Sequence, residues 1–133
     1  MFQLFTLHLR DAQGADVGLD QIYSQLKYIL QESRRMEKRG QAGILTSDTR
    51  DNWHQAYQTI QGQGQSLQAV ENSLFILCLD DAVLSDEDPL TRTALNSLHG
   101  LGSNVNGSNR WYDKALQFII ARSGEVAISN EHR

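Results

Sequence analysis

Apolar and polar side chains alternate from residue 2 to residue 9, the period of a half-buried strand. A turn-rich break with two glycines follows over 11–18. Ile22, Leu26, Ile29 and Leu30 then recur at helical spacing, which predicts an amphipathic helix over 19–34. The charged stretch 34–40 reads as a solvated loop. Ile44-Leu45 leads to Thr46-Ser47-Asp48, where Ser47 is placed to cap a helix with Trp53, Tyr57 and Ile60 on one face. Gly62-Gln-Gly-Gln-Ser66 ends that helix, and Ser66 caps a short one carrying Leu67, Val70 and Leu74. The continuous apolar run 75–79 predicts a strand buried on both faces. An acidic loop spans 80–88. Asp88-Pro89 starts another helix with Leu90, Ala94 and Leu98, and Gly100 supplies a left-handed stop. After an irregular Gly/Asn/Ser stretch, 115–121 predicts a strand with Leu116, Phe118 and Ile120 on one face. A tight turn at Arg122-Ser-Gly-Glu125 returns the chain into a strand from Val126. The expected fold class is therefore α/β in a mixed α+β arrangement: a mainly antiparallel sheet with helices packed on it, and no internal repeat.

Composition narrows the function classes. The 133 residues carry 12 basic and 16 acidic side chains, a net charge of −4, and 40% of them are hydrophobic. That suits one globular domain and argues against disorder. No basic cluster exists to hold phosphates, so nucleic acid is not an expected partner. The apolar run 74–79 is far too short to span a membrane, and no secretory signal pattern is present. The lone Cys78 cannot form an internal disulfide, which points to a reducing, intracellular compartment.

Candidate chemistry is sparse. His8, His54, His99 and His132 show no metal-ligand spacing, so no metal site is expected. Gly100-Leu-Gly-Ser103 lacks the Gly-Lys-Ser/Thr ending of a phosphate-cradling loop. Cys78 lies inside an apolar strand and reads as inert core. Asp80, Asp81, Asp86, Glu87 and Asp88 read as a solvated run without calcium-loop spacing. His132 differs, since it follows Glu131 at the end of the predicted hairpin strand; such a histidine, taken alone, is more often structural than catalytic.

The ordered blocks shift that weighting. Gly43-Ile-Leu-Thr-Ser47 with Arg50 and Trp53, then Ser66-Leu67, Cys78-Leu-Asp80 and Leu98-His-Gly100, precede Asn109-Arg-Trp-Tyr-Asp-Lys114, Leu116-Gln-Phe-Ile119, Ser123-Gly124 and Glu131-His132. Together they resemble the carnitine/choline acyltransferase family over nearly the whole chain. The resemblance implies a partial chloramphenicol-acetyltransferase-like domain over 1–133, truncated just after the catalytic histidine. It implies His132 as general base, with an acyl-coenzyme A as co-substrate, no bound cofactor, and the hydroxyl of carnitine or choline as acceptor. An imidazole with a pKa near ~6.5 is suited to take that proton and return it to the departing thiolate. The Asn109–Phe118 block is similar to the acetyl-transferring branches, whereas the blocks at 26–30 and 79–81 resemble the mitochondrial long-chain branch. Supporting roles fall to Arg110, Asp113 and Glu131. Arg110 and Asp113 either pair or bind backbone within the loop, or they position the strands that present His132, while Trp111 and Tyr112 alternate in and out and Lys114 is a surface charge. The family pattern places Ser or Ala after the histidine, from which Arg133 departs, and continues with an acidic residue four positions past it. The expectation is a piece that lacks the C-terminal half of the enzyme and is inactive by itself, located in the cytoplasm or mitochondrion. The alternative is an inactive truncated product or a partner-binding fragment, with exposed sheet edges that favour aggregation.

Overall fold

The helix boundaries follow from local signals. In the computed structural model, which describes residues 3–35, 42–62, 65–81 and 86–130, the chain divides into two units, Gln3–Arg39 and Gly40–Arg133.

In the first unit, residues 3–10 are extended and their side chains alternate in burial, as expected, but no strand forms among the described residues. Alternation reports which side chains face inward; a ladder also needs a partner backbone. Among the described residues of this unit the only pairing is the isolated bridge Arg10–Asp16, closed by an Asp11 side chain that accepts from the Gln13 and Ala15 amides at 2.9 Å. The Gln25 amide substitutes for a neighbouring strand. Its Oε1 accepts from His8 N at 2.8 Å and its Nε2 donates to His8 O at 2.9 Å. Gln25 belongs to helix α1, Leu19–Arg35, one residue longer than expected at its C-terminal end. Gln21 reaches back to the Gly18 amide, half of a capping box. No residue of α1 is fully buried: Ile22, Leu26 and Ile29 are half-covered, and Leu30 is exposed.

The second unit holds α2 (Ala42–Leu45), α3 (Arg50–Gln61), α4 (Gln65–Asn72), β1 (Ile76–Asp80), α5 (Pro89–His99), a 3₁₀ turn at Gly107–Asn109, β2 (Leu116–Ala121) and β3 (Val126–Asn130). The expected cap of α3 is corrected by two residues: Thr49 accepts from Asn52 N, while Ser47 turns back to donate to Ile44 O at 2.7 Å. Ser66 lies inside α4 rather than capping it, and α2 was not expected. α5 forms as expected. Asp88 accepts from Leu90 N and Thr91 N, Pro89 opens the helix, and Gly100 closes it at φ 62°.

The sheet order is β1-β2-β3. β1 and β2 are parallel, with Cys78 opposite Ile119, because α5 carries the chain back between them; β2 and β3 form the antiparallel hairpin, with Phe118 opposite Ile128. Among the described residues the sheet is thus evenly mixed rather than mainly antiparallel. Its covered face is Cys78, Asp80, Gln117, Ile119 and Ala121. The Leu116, Phe118 and Ile120 face of β2 is the more open one, and Leu77 and Leu79 on β1 are only half-buried. Trp53, Leu67, Val70 and Trp111 form the core beside this sheet. The Trp53 ring meets Tyr57 and Trp111 edge-on, with centroids 5.8 and 5.6 Å away.

Candidate functional site

Asp80, the last residue of β1, was expected in a solvated acidic loop. It is buried instead, and its carboxylate is saturated. Oδ1 accepts from Arg110 Nη1 at 2.8 Å and Asn109 Nδ2 at 2.9 Å; Oδ2 accepts from Arg110 Nη2 and Asn96 Nδ2, both at 2.8 Å. Arg110 is 0% exposed and also donates to the carbonyls of Asn109 and Asn96, at 3.0 and 2.7 Å. A bidentate pair whose two terminal nitrogens are also engaged by carbonyls is the arrangement in which buried charges persist. Burial works against the guanidinium charge, but the hydrogen bonds and charge of Asp80 outweigh it, so the Arg110 pKa rises above its ordinary value. Asn106 completes the knot by donating to Asn96 Oδ1 at 3.3 Å.

The loop that follows is held one residue at a time. Trp111 N donates to Gln117 Oε1 at 2.8 Å, and Tyr112 N donates to Thr46 Oγ1 at 2.7 Å. The buried Thr46 hydroxyl in turn donates to Gly43 O at 2.6 Å. Asp113 accepts from Arg50 Nη1 at 2.8 Å and from the Trp53 indole N–H. Lys114, expected as a surface charge, spans to the end of α4 and donates to Val70 O and Glu71 O at 2.9 Å. A cation there satisfies carbonyls that the last helical turn leaves unpaired. Desolvation lowers the Lys114 pKa, with the Glu71 charge opposing.

The two outlying sequence blocks, Gly43–Trp53 and Arg110–Lys114, are therefore one interlocked structure at the entrance to β2. Arg110 and Asp113 both sit in it, but on different partners: Arg110 pairs with Asp80, and Asp113 with Arg50 and Trp53. Glu131 and His132 lie outside the described residues; β3 is described as far as Asn130. Sequence reasoning missed Asp80, Thr46 and Gln117. A threonine and a glutamine in otherwise apolar runs were the available signals for the latter two.

The other candidates play no part in this cluster. His8, His54 and His99 are exposed. Burial pushes the Cys78 thiol up to about 12 despite the nearby Arg110 cation. Among the described residues no group of three His, Cys, Asp or Glu could hold a metal ion, and no helix is long and apolar enough to cross a membrane.

Comparison with known proteins bears on what this arrangement serves. The family described as choline/carnitine O-acyltransferase matches residues 1–133. The chain is 36% identical to carnitine O-acetyltransferase of Homo sapiens, over 98% of this chain and 22% of that protein. It is 38% identical to the mitochondrial carnitine O-palmitoyltransferase 2 of Homo sapiens, over 92% of this chain and 18% of that protein. Choline O-acetyltransferase of Mus musculus is 36% identical over 84% of this chain and 18% of its own length. The chain thus spans about a fifth of the length of these relatives. Matched along its whole length, with the predicted blocks in order, the chain belongs to the choline/carnitine O-acyltransferase family.

Proposed function

We propose that this chain supplies the histidine-bearing part of an O-acyltransferase that moves an acyl group between coenzyme A and the hydroxyl of carnitine or choline. His132 acts as general base. Its neutral imidazole takes the hydroxyl proton as the alcohol oxygen attacks the thioester carbonyl; the tetrahedral intermediate collapses, the carbon–sulfur bond breaks, and the imidazolium returns the proton to the thiolate. No acyl-enzyme is required, which agrees with a buried Cys78 held in its thiol form. The acyl group is acetyl, on the similarity of the Asn109–Phe118 block to acetyl-transferring branches. Coenzyme A enters as co-substrate rather than as a bound cofactor.

The observation that carries this reading is the match over residues 1–133, which includes the Glu131-His132 pair. Arg110 and Asp113 are positioning residues: one ties the loop before β2 to β1, the other ties it to α3, and β2 is the hairpin partner of the strand that leads toward His132. Because the chain spans about a fifth of its relatives' length, the facing wall of the substrate site comes from further polypeptide, and residues 1–133 alone turn over negligibly. The lone, buried Cys78 supports an intracellular setting for the reaction. A second reading, a partner-binding piece without catalysis, draws on the open sheet face, where Val126 is 63% and Ile128 59% exposed.

The test exchanges the matching segment of human carnitine O-acetyltransferase for residues 1–133 and follows thiol release from acetyl-coenzyme A with carnitine or choline. Turnover that falls by about 10²–10⁴-fold with His132→Ala supports the general-base role. Turnover in the exchanged enzyme that is indifferent to His132→Ala refutes it.

A further inference from the structure

The knot around Asp80 leaves two buried donors over. Arg110 Nη1 and Nη2 are engaged by Asp80 and by the Asn109 and Asn96 carbonyls, whereas Nε has no acceptor among the described residues. Gln117 is 0% exposed, and the orientation of its amide is determined: Oε1 accepts from Trp111 N, and the flipped amide would set N–H against N–H. Its Nε2 therefore points elsewhere and also lacks an acceptor. Both orphans belong to side chains that border Cys78. Gln117 Oε1 sits on the peptide N–H that directly follows Arg110, and Cys78 Sγ, 3.7 Å from the same Oε1, lies beside the Arg110 guanidinium. A thiol sulfur is at most a weak acceptor. Leaving such N–H groups dry costs more than an ordinary hydrogen bond gains, and native interiors rarely tolerate it.

We propose that Arg110 Nε and Gln117 Nε2 share one internal water molecule, held beside Cys78 between β1, β2 and the loop that enters β2. The charge balance selects a neutral acceptor over an anion. Asp80 already neutralises Arg110 and the thiol keeps its proton, so an added anion would leave the buried cluster with net negative charge. A water accepts from both nitrogens, which gives it two hydrogen bonds, within the range of internal waters. It joins the guanidinium that anchors the loop to the strand that the loop feeds. This inference is independent of the acyl-transfer reading.

The test uses the ¹⁵N-labelled chain. Water-selective NMR is expected to show dipolar cross-peaks from a long-lived water to both the Arg110 Nε–H and the Gln117 side-chain amide. A high-resolution crystal structure is expected to place one oxygen within about 2.7–3.2 Å of both nitrogens. Absence of the cross-peaks in the folded chain, a water on only one nitrogen, a protein acceptor on either, or a halide signal at the position after a bromide soak overturns the proposal.

Discussion

Replacing Arg110 by Met separates the buried ion pair from the packing of its side chain. Met keeps most of the aliphatic volume but removes all the guanidinium donors. The Asp80 carboxylate, 0% exposed together with Arg110, then keeps only the Asn96 and Asn109 amides. Removing one member of a buried pair costs about 3–5 kcal/mol, mostly because the surviving charge stays desolvated. That is a large share of the roughly 5–15 kcal/mol by which domains are stable. With a urea dependence of about 1.5 kcal/mol per M, the midpoint should fall by roughly 2–3 M. Trp53 and Trp111, each 5% exposed, report the transition by fluorescence and both belong to the unit that contains the pair. Asp80→Leu with Arg110→Met removes both charges, so the double variant should lose less than the two single losses combined, by about 2 kcal/mol. It should not recover fully, because the Asn96 and Asn109 amides lose their acceptor. A loss below about 1 kcal/mol for Arg110→Met, the value of an exposed pair, would refute the argument that this ion pair is shielded from bulk solvent.

Gly100→Ala should cost about 2 kcal/mol or more, since its φ is +62° and a Cβ would stand 2.3 Å from Asn106 C and Gly107 N; Gly102→Ala, at φ +108° with open space, should lose less by the same urea midpoint. Glu125 is drawn from 4.5 down to about 2 by the hydrogen bond from Ser123 and then by Arg92. A lowered carboxylate pKa stabilises the fold above its unfolded value, and that contribution is lost as pH falls from 4.5 through about 2. Carboxyl NMR titration should show this shift, and Arg92→Met should move Glu125 back upward. Cys78 should resist Ellman's reagent in the native chain and react fully in urea; prompt native reaction would contradict its burial.

Where a feature is written in neighbouring residues, the sequence was readable. The cap Asp88, the opening Pro89 and the closing Gly100 defined α5, and a one-turn apolar stripe defined α1. The hairpin over 116–130 followed from alternation and Gly124. Features decided by distant partners were not readable. The 3–10 segment alternates like a strand, yet receives a glutamine side chain in place of a ladder. Ser47 and Thr49 are both suitable caps, and the fold chose between them when α2 drew the Ser47 hydroxyl onto Ile44 O. The buried side of β2 is Gln117, Ile119 and Ala121, because that side meets the polar knot, and the apolar alternation of Leu116, Phe118 and Ile120 did not by itself say which side is covered. Asp80 looked like its acidic neighbours since nothing local marks a partner at Arg110. The resemblance pointed to the family, which the comparisons show, while the contacts of Arg110 and Asp113 needed their partners to be visible.

The clasp between Trp53 and Asp113 joins residues 60 apart in the chain, and Thr46 reaches Tyr112 across 66. On a ribosome adding about 5–20 residues per second, the indole emerges roughly 3–12 s before the carboxylate that will receive it. For that interval the Trp53 indole lacks the carboxylate that accepts from it, and the pace of translation between the two positions sets how long that lasts.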